Sequence, residues 1–200
     1  MSIMHSVKQK CGWSQWSKIF NDEEVASIIE YGKSLPTVEA LTGDNFSMSD
    51  NEEIRKSTIS WINRDDDNSW IFDRINGCAY NLNNELHGFD IEYCHTLQFT
   101  RYEDDYSHYT WHWDMYTRSN SLERNDICHQ RKFSAVVQLS DPEDYEGGEL
   151  QLSPCGNITN MQKEKGLLVC FPSFLLHRVL PVTKGQRYSL VAWFTGPDWR

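Results

Sequence analysis

Leu167-Leu168-Val169-Cys170-Phe171-Pro172-Ser173, then His177-Arg178-Val179-Leu180-Pro181-Val182, then Arg187-Tyr188-Ser189-Leu190-Val191-Ala192-Trp193-Phe194, decide the fold class. Each run is short, rich in β-branched and aromatic residues, and broken by Pro, Ser or Lys-Gly. Upstream, Gly148 to Leu152, Phe133 to Leu139 and Ile91 to Tyr102 repeat the pattern. Many short strands with turn residues between them predict a sandwich, barrel or jelly roll. Before Phe89 the character changes. Asn21, followed three residues later by Glu24, reads as a helix start; Val25, Ile28 and Ile29 mark its apolar face, and Gly32 lies near its end. Ser57 to Ile62 alternates as a strand with Ile59 and Trp61 on one face. Asp65 to Ser69 is a turn and cap. A second helix over Trp70 to Leu86 carries Ile71, Ile75, Cys78, Leu82 and Leu86 at helical spacing. Helices followed by strands predict one α+β domain over residues 1–200, with helical support over about 1–88 and the strand core over about 89–196. Leu41 to Glu53 and Thr117 to Lys132 are polar and predicted to be loops.

The chain of 200 residues is long enough to bury a sizeable core. Its formal net charge of −10 repels phosphate backbones and no basic patch offsets it, so nucleic acid is not an expected partner. Eight Trp, nine Tyr and nine Phe suit a β-rich core and a lined pocket rather than a disordered chain. No apolar run reaches about 18 residues, so no membrane-spanning helix is expected. Met1 to Trp16 lacks a basic start followed by an apolar stretch, so no secretory signal is expected there. Cys11, Cys78, Cys94, Cys128, Cys155 and Cys170 form no C-x-x-C pair and predict reduced thiols in a cytoplasmic protein.

His112-Trp113-Asp114 is the first chemical signal. On a strand, residues i and i+2 face one side, so an imidazole and a carboxylate can share one divalent ion. Alone, H-x-D recurs by chance. His177, between two predicted strands, would complete two His and one carboxylate, the ligand set of non-haem Fe(II) oxygenases; alone, it reads as a core histidine. Arg187 opens an apolar strand ten residues later. An Arg at the mouth of a buried strand is costly unless it meets an anion, and a dicarboxylic cosubstrate would supply one; alone, it reads as a surface residue at a strand start.

In this order, His112, Asp114, His177 and Arg187 resemble the Fe(II)- and 2-oxoglutarate-dependent dioxygenases. The surrounding residues resemble the prolyl 4-hydroxylase-like branch. They are Arg101-Tyr102, Leu139-Ser140-Asp141-Pro142, Asp144-Tyr145-Glu146-Gly147-Gly148-Glu149-Leu150, Phe171-Pro172-Ser173, Val179, Pro181-Val182-Thr183 and Gly185. The likeness spans about residues 95 to 195. It implies a double-stranded β-helix (jelly roll) core buttressed by the N-terminal helices, with Fe(II) held by His112, Asp114 and His177. It implies 2-oxoglutarate and O2 as cosubstrates, Arg187 on the distal carboxylate, and ascorbate as a bound reductant. Tyr102 is implied as a second pocket residue and Trp193 as a neighbour of the ligands. Gln138 stands where relatives often carry an aromatic, commonly Tyr; its amide could donate to the cosubstrate instead. Leu150, Val169 and Val191 are pocket walls or plain core.

The implied chemistry is hydroxylation of an unactivated C–H bond with release of succinate and CO2. Halogenating relatives leave the carboxylate position empty, so Asp114 points to hydroxylation. A peptidyl prolyl residue is the expected substrate, since Pro-rich peptides favour aromatic grooves. A free amino acid or other small metabolite is the alternative. A demethylase acting on nucleic acid would carry R-x-N-x-T-x-R, which Arg187 to Trp193 lacks. A catalytically silent jelly-roll binder is the alternative of another class. The chain is expected as a monomer or homodimer, without a membrane partner, and the two polar loops as lids. His108 and Tyr109 read as substrate contacts or surface, Cys128 and His129 as loop residues, and Asp65-Asp66-Asp67 as a solvated turn. Arg55, Lys56 and Arg64 read as a solvated edge, and Trp13 and Trp16 as caps on the core.

Overall fold

The computed structural model describes residues 3–5, 12–40, 42–44, 47–49, 52–115 and 130–197. The elements in chain order are β1 (Ile3–His5), β2 (Ser14–Trp16), α1 (Asp22–Ser34), β3 (Val38–Glu39), β4 (Thr42–Asp44), β5 (Ser47–Ser49), β6 (Arg55–Lys56), β7 (Thr58–Asn63) and α2 (Ser69–Leu86). There follow β8 (Thr96–Tyr102), β9 (His108–His112), β10 (Gln130–Gln138), β11 (Tyr145–Gly147), β12 (Leu150–Leu152), β13 (Thr159–Asn160), β14 (Leu168–Pro172), β15 (His177–Val179), β16 (Val182–Gly185) and β17 (Arg187–Gly196).

α1 starts where the sequence places it, through a capping box. The Asn21 side chain accepts from the Glu24 backbone N–H at 2.9 Å, and Glu24 accepts from the Asn21 N–H at 2.9 Å. At its far end the Gly32 carbonyl, one of the acceptors a helix leaves unused, receives Arg101 Nη2 at 3.1 Å. Residues 65–68 form the expected turn, with Asp65 and Asn68 exchanging two side-chain-to-backbone bonds of 2.9 Å just before α2.

Eight strands form one antiparallel sheet in the order β1-β2-β14-β10-β17-β8-β7-β3, and five form a second in the order β13-β12-β15-β9-β6. Together they make the double-stranded β-helix. The central strands β14, β10, β17 and β8 of the larger sheet are buried on both faces. Leu97, Phe99, Ala135, Val137, Leu190 and Ala192 point outward onto Val25 and Ile28 of α1 and Ile71, Phe72, Ile75 and Leu82 of α2. The alternate residues point inward: Tyr102, Val136, Val169 and Phe171 meet Leu150, Leu152 and Val179 of the smaller sheet. Each such fully buried side chain contributes about 1.5–3 kcal/mol before conformational entropy is counted.

The N-terminal part adds strands as well as helices, since β2 and β7 extend both flanks of the larger sheet. Trp13 packs on the inner cluster and Trp16 on the outer one, as caps on the core. Three predicted strands come out shorter; that over Gly148 to Leu152 begins at Leu150. Ile91 to His95 forms no ladder: Glu92 N makes a lone bond to Thr195 O and His95 O accepts from Arg64 N, while side chains of α2 take other backbone groups of the stretch. Asn76 accepts from Cys94 N at 2.9 Å and donates to its carbonyl at 3.2 Å, while Tyr80 Oη donates to Ile91 O at 2.5 Å. His177 to Val182 splits at Pro181, which has no N–H to give a ladder; β15 stays in the five-stranded sheet and β16 leaves to pair with β11. Gly185 (φ 73°) makes the turn into β17, and a Cβ there would stand 2.0 Å from the Asp144 carbonyl oxygen. The predicted loop over Leu41 to Glu53 instead carries β4 and β5, which pair antiparallel with each other. Most of the loop over Thr117 to Lys132, with Cys11, Cys128 and His129, lies outside the described residues; Gln130 to Lys132 belong to β10.

Candidate active site

His112 closes β9 and His177 opens β15. The two strands pair antiparallel with these residues directly opposite, so register alone brings the imidazoles side by side, with ring centroids 4.0 Å apart. Asp114 is aimed differently from the simple strand alternation, because β9 has ended by then. Its backbone N donates to the Ser173 carbonyl at 2.8 Å, and its carboxylate accepts from Ser134 Oγ at 2.7 Å. Ser134 in turn contacts Ser173 Oγ at 2.8 Å. The carboxylate can only accept, so the Ser134 proton goes to it and Ser173 donates to Ser134.

The potential ligand atoms of His112, Asp114 and His177 all lie within 4.8 Å of one another. Asp114 Oδ1 is 3.9 Å from His112 Nε2 and Asp114 Oδ2 is 3.6 Å from His177 Nε2. Both rings are locked from behind. His112 Nδ1 is 2.8 Å from the Thr110 carbonyl and His177 Nδ1 is 2.9 Å from the Leu175 carbonyl. A carbonyl only accepts, so each Nδ1 carries a proton and each Nε2 faces Asp114. Burial and the nearby His177 push the His112 pKa down to about 3, against the pull of Asp114, so this imidazole is neutral at ordinary pH. Burial by itself would raise the Asp114 pKa. His177, His112, Arg131 and the Ser134 hydroxyl more than offset it and hold the carboxyl below its usual range. Two imidazoles and one carboxylate fit a divalent first-row metal and leave its other positions to ligands.

The cluster opens on a cavity of about 450 Å3, mouth included, between the two sheets. Arg187 reaches the same cavity and is 1% exposed. Its register partner Tyr102 lies beneath it, with the guanidinium 5.1 Å from the ring centre. Nη2 donates to Gln138 Oε1 at 2.8 Å and Nη1 reaches Ser189 Oγ at 3.5 Å. Arg187 Nε and Gln138 Nε2 are buried donors with no hydrogen-bond partner. Among the described residues no carboxylate lies within ion-pair distance of Arg187. An acceptor-rich anion is what this arrangement lacks.

Of the other residues read from the sequence, Tyr102, Trp193, Leu150, Val191 and Tyr109 line the cavity. Val169 is inner core instead. Gln138 is 2% exposed and stands behind Arg187 rather than on the cavity wall. His108 turns away to the Tyr106 and Glu53 carbonyls. Lys56 and Arg64 are surface partners of Asp105 and Asp73, as a solvated edge would be. Arg55 corrects that expectation: its guanidinium lies in the cavity, 4.6 Å from the Tyr109 ring centre, while Tyr109 stacks on His112 at 3.4 Å. Sequence reasoning also missed Gln98, Thr100, Ser134, Ser173 and Ser189. Gln98 and Thr100 alternate along β8, which is a weak signal; Ser134, Ser173 and Ser189 carry none.

Fold and site together define a double-stranded β-helix protein with a two-histidine, one-carboxylate metal cluster. Residues 97–195 match the sequence model of the 2OG-Fe(II) oxygenase superfamily. The chain belongs to that superfamily. A PKHD-type hydroxylase of Nitrosomonas europaea is 34% identical over 95 residues, 46% of this chain and 39% of that protein. The match thus spans well under half of that curated relative. A crystal structure of a Pseudomonas putida prolyl-4-hydroxylase superposes with TM-score 0.69 at 23% identity, covering 93% of each chain. A prolyl hydroxylase from Trichoplax adhaerens, in complex with a hypoxia inducible factor peptide fragment, superposes with TM-score 0.70 at 18% identity, covering 92% of this chain and 84% of that one. These two structures share the fold.

Proposed function

We propose that the chain is an Fe(II)- and 2-oxoglutarate-dependent dioxygenase that hydroxylates a peptidyl prolyl residue and releases succinate and CO2. One observation carries the reading. The His112/Asp114/His177 cluster and the buried, acceptor-poor Arg187 face one cavity.

In this reading His112 Nε2, His177 Nε2 and Asp114 hold Fe(II), and Arg187 takes the distal carboxylate of 2-oxoglutarate with Tyr102 beside it. Bound together, iron, 2-oxoglutarate and O2 supply the oxidising power that breaks an unactivated C–H bond. The protein's part is to position and to shield. The Thr110 and Leu175 carbonyls fix the imidazole tautomers, Ser134 fixes the carboxylate, and Gln138 fixes the guanidinium. Val136, Leu150, Val179 and Val191 keep the cavity wall apolar, so charge is matched inside it by few, fixed groups. Asp114 occupies the third protein position, which favours hydroxylation over halogenation.

A peptide target is supported by the peptide held by the Trichoplax neighbour and by the aromatic rim. Trp61 is 45% exposed and lies 6.2 Å from Trp193, with the rings tilted by 46°, an aromatic edge on which a prolyl ring can rest. The same reading takes residues 1–200 as one catalytic domain and ascorbate as the reductant. It places the protein in the cytoplasm, in keeping with Cys78, Cys94, Cys155 and Cys170 as free thiols.

Anaerobic optical titration with Fe(II), with and without 2-oxoglutarate, tests the core of this reading. A weak visible charge-transfer band that needs both additions is expected. It should vanish in His177→Ala and require at least tenfold more 2-oxoglutarate in Arg187→Ala. A folded, metal-loaded protein with no band overturns the reading and favours a silent binder.

A further inference from the structure

Gln98 lies on the cavity wall, on the inner face of β8, and is 4% exposed. Its amide orientation is dictated by its neighbours. Arg55 Nη2 lies 3.0 Å from one end of the amide, and a guanidinium can only donate, so that end is the oxygen. Thr100 Oγ1 gives the same oxygen a second bond at 3.3 Å. The NH2 end must then turn the other way. Among the described residues it has no partner, and it borders the cavity, where a guest can reach it.

Arg55 is in a similar state. Nε is spent on Ser57 Oγ at 2.9 Å and Nη2 on Gln98, while Nη1 has no partner among the described residues. The guanidinium is held flat on Tyr109, which is stacked on His112. Both idle donors therefore border the same cavity, one aromatic ring removed from a ligand of the proposed metal. Charge within the cavity agrees. Asp114 and Arg187 cancel, and a divalent metal would cancel a dicarboxylate. The Arg55 charge is then left for another guest.

Resting on the oxygenase reading above, we propose that Gln98 Nε2 and Arg55 Nη1 form a substrate subsite that receives an acyl oxygen next to the C–H bond to be hydroxylated. The oxygen is the amide carbonyl of a peptidyl residue or the carboxylate of a free amino acid. Gln98 and Arg55 are thus positioning and specificity residues. Thr100 and Ser57 hold them in place.

The decisive variant is Gln98→Glu. It keeps size and keeps an oxygen for Arg55 and Thr100, but presents an acceptor to the cavity instead of a donor. Arg55→Lys is the second variant. Zn(II)-loaded protein with 2-oxoglutarate is titrated with N-acetyl-L-prolinamide and with free L-proline, followed by tryptophan fluorescence. Wild-type protein is expected to bind one of the two, which identifies the source of the oxygen. Gln98→Glu should weaken that binding at least tenfold and Arg55→Lys at least threefold, with 2-oxoglutarate affinity unchanged within twofold. Wild-type protein that binds neither probe, or a Gln98→Glu variant that binds as well as wild type, overturns the subsite. Loss of the Fe(II)/2-oxoglutarate band from wild-type protein would instead overturn the oxygenase reading; an intact band with indifferent probes removes the subsite alone.

Discussion

Ser134→Ala removes one hydroxyl and no charge, yet it should reach the metal cluster. Ser134 Oγ lies 2.7 Å from Asp114 Oδ2 and 2.8 Å from Ser173 Oγ, at 0% exposure. The lost bond is made to an ionised group and contributes about 1.5–3 kcal/mol. Ser173 Oγ also loses its acceptor in a place water does not reach. In the metal-free protein, thermal unfolding should therefore fall by roughly 4–10 °C, at about 2–4 °C per kcal/mol for a chain of this size. Metal affinity should fall separately, because the carboxylate is no longer held at one angle; losing such a support costs about 10–100-fold. Competition between the protein and a chromophoric chelator for Zn(II) measures it. Asp114 keeps its backbone bond to Ser173, so the variant should still fold. A folded Ser134→Ala protein that holds Zn(II) within twofold of wild type would refute the argument that Ser134 sets the carboxylate.

Three further outcomes follow from the same structure. Gly32→Ala places a Cβ 2.5 Å from the Phe99 ring, whose neighbours are packed, so stability measured by denaturant should drop by about 1–3 kcal/mol; no change would mean that α1 slides freely on β8. Asn21→Ala deletes the capping box of α1 and should cost about 1 kcal/mol in the same assay, with 2-oxoglutarate binding intact. The His112 pKa falls from 6.5 in the unfolded chain to about 3 in the fold, so the unfolded state takes up the proton first. Stability of the metal-free protein is then full above pH 6.5 and declines as pH falls toward 3, by about 2 kcal/mol at pH 5; His112→Gln should flatten that slope, and an equal slope in the variant would contradict a buried neutral imidazole.

The four residues on which the site rests were legible because their chemistry is out of place locally. Arg187 interrupts an apolar strand, and His112, Asp114 and His177 recur in a known order between turn residues. The residues that support them were not legible. Ser134, Thr100 and Ser189 look like ordinary small polar residues in half-buried strands, and nothing local says which neighbour each will face. Arg55 was misread for a similar reason: beside Lys56 it looks like a charged edge, yet pairing of β6 with β9 turns it onto Tyr109. Both helices were legible from caps and period. The start of the strand over Ile91 to Tyr102 was not, because Asn76, fifteen or more residues away, takes the backbone groups of Cys94.

The alternation along β17 also guards the fold against its own mispairing. Tyr188, Leu190, Ala192 and Phe194 lie on the helix side, and Arg187, Ser189, Val191 and Trp193 on the cavity side. A slip of one residue against β8 or β10 would exchange the two sets. Arg187 would then leave Gln138 and Tyr102 for the helix side of the sheet, beside Val25 and Ile29 of α1. Taking a buried charge from its fixed partners costs about 3–5 kcal/mol, a large part of the whole stability of a domain. The residue proposed to hold the cosubstrate is therefore also a proofreader of strand pairing. Replacing it should produce a protein that folds less uniquely as well as one that binds less.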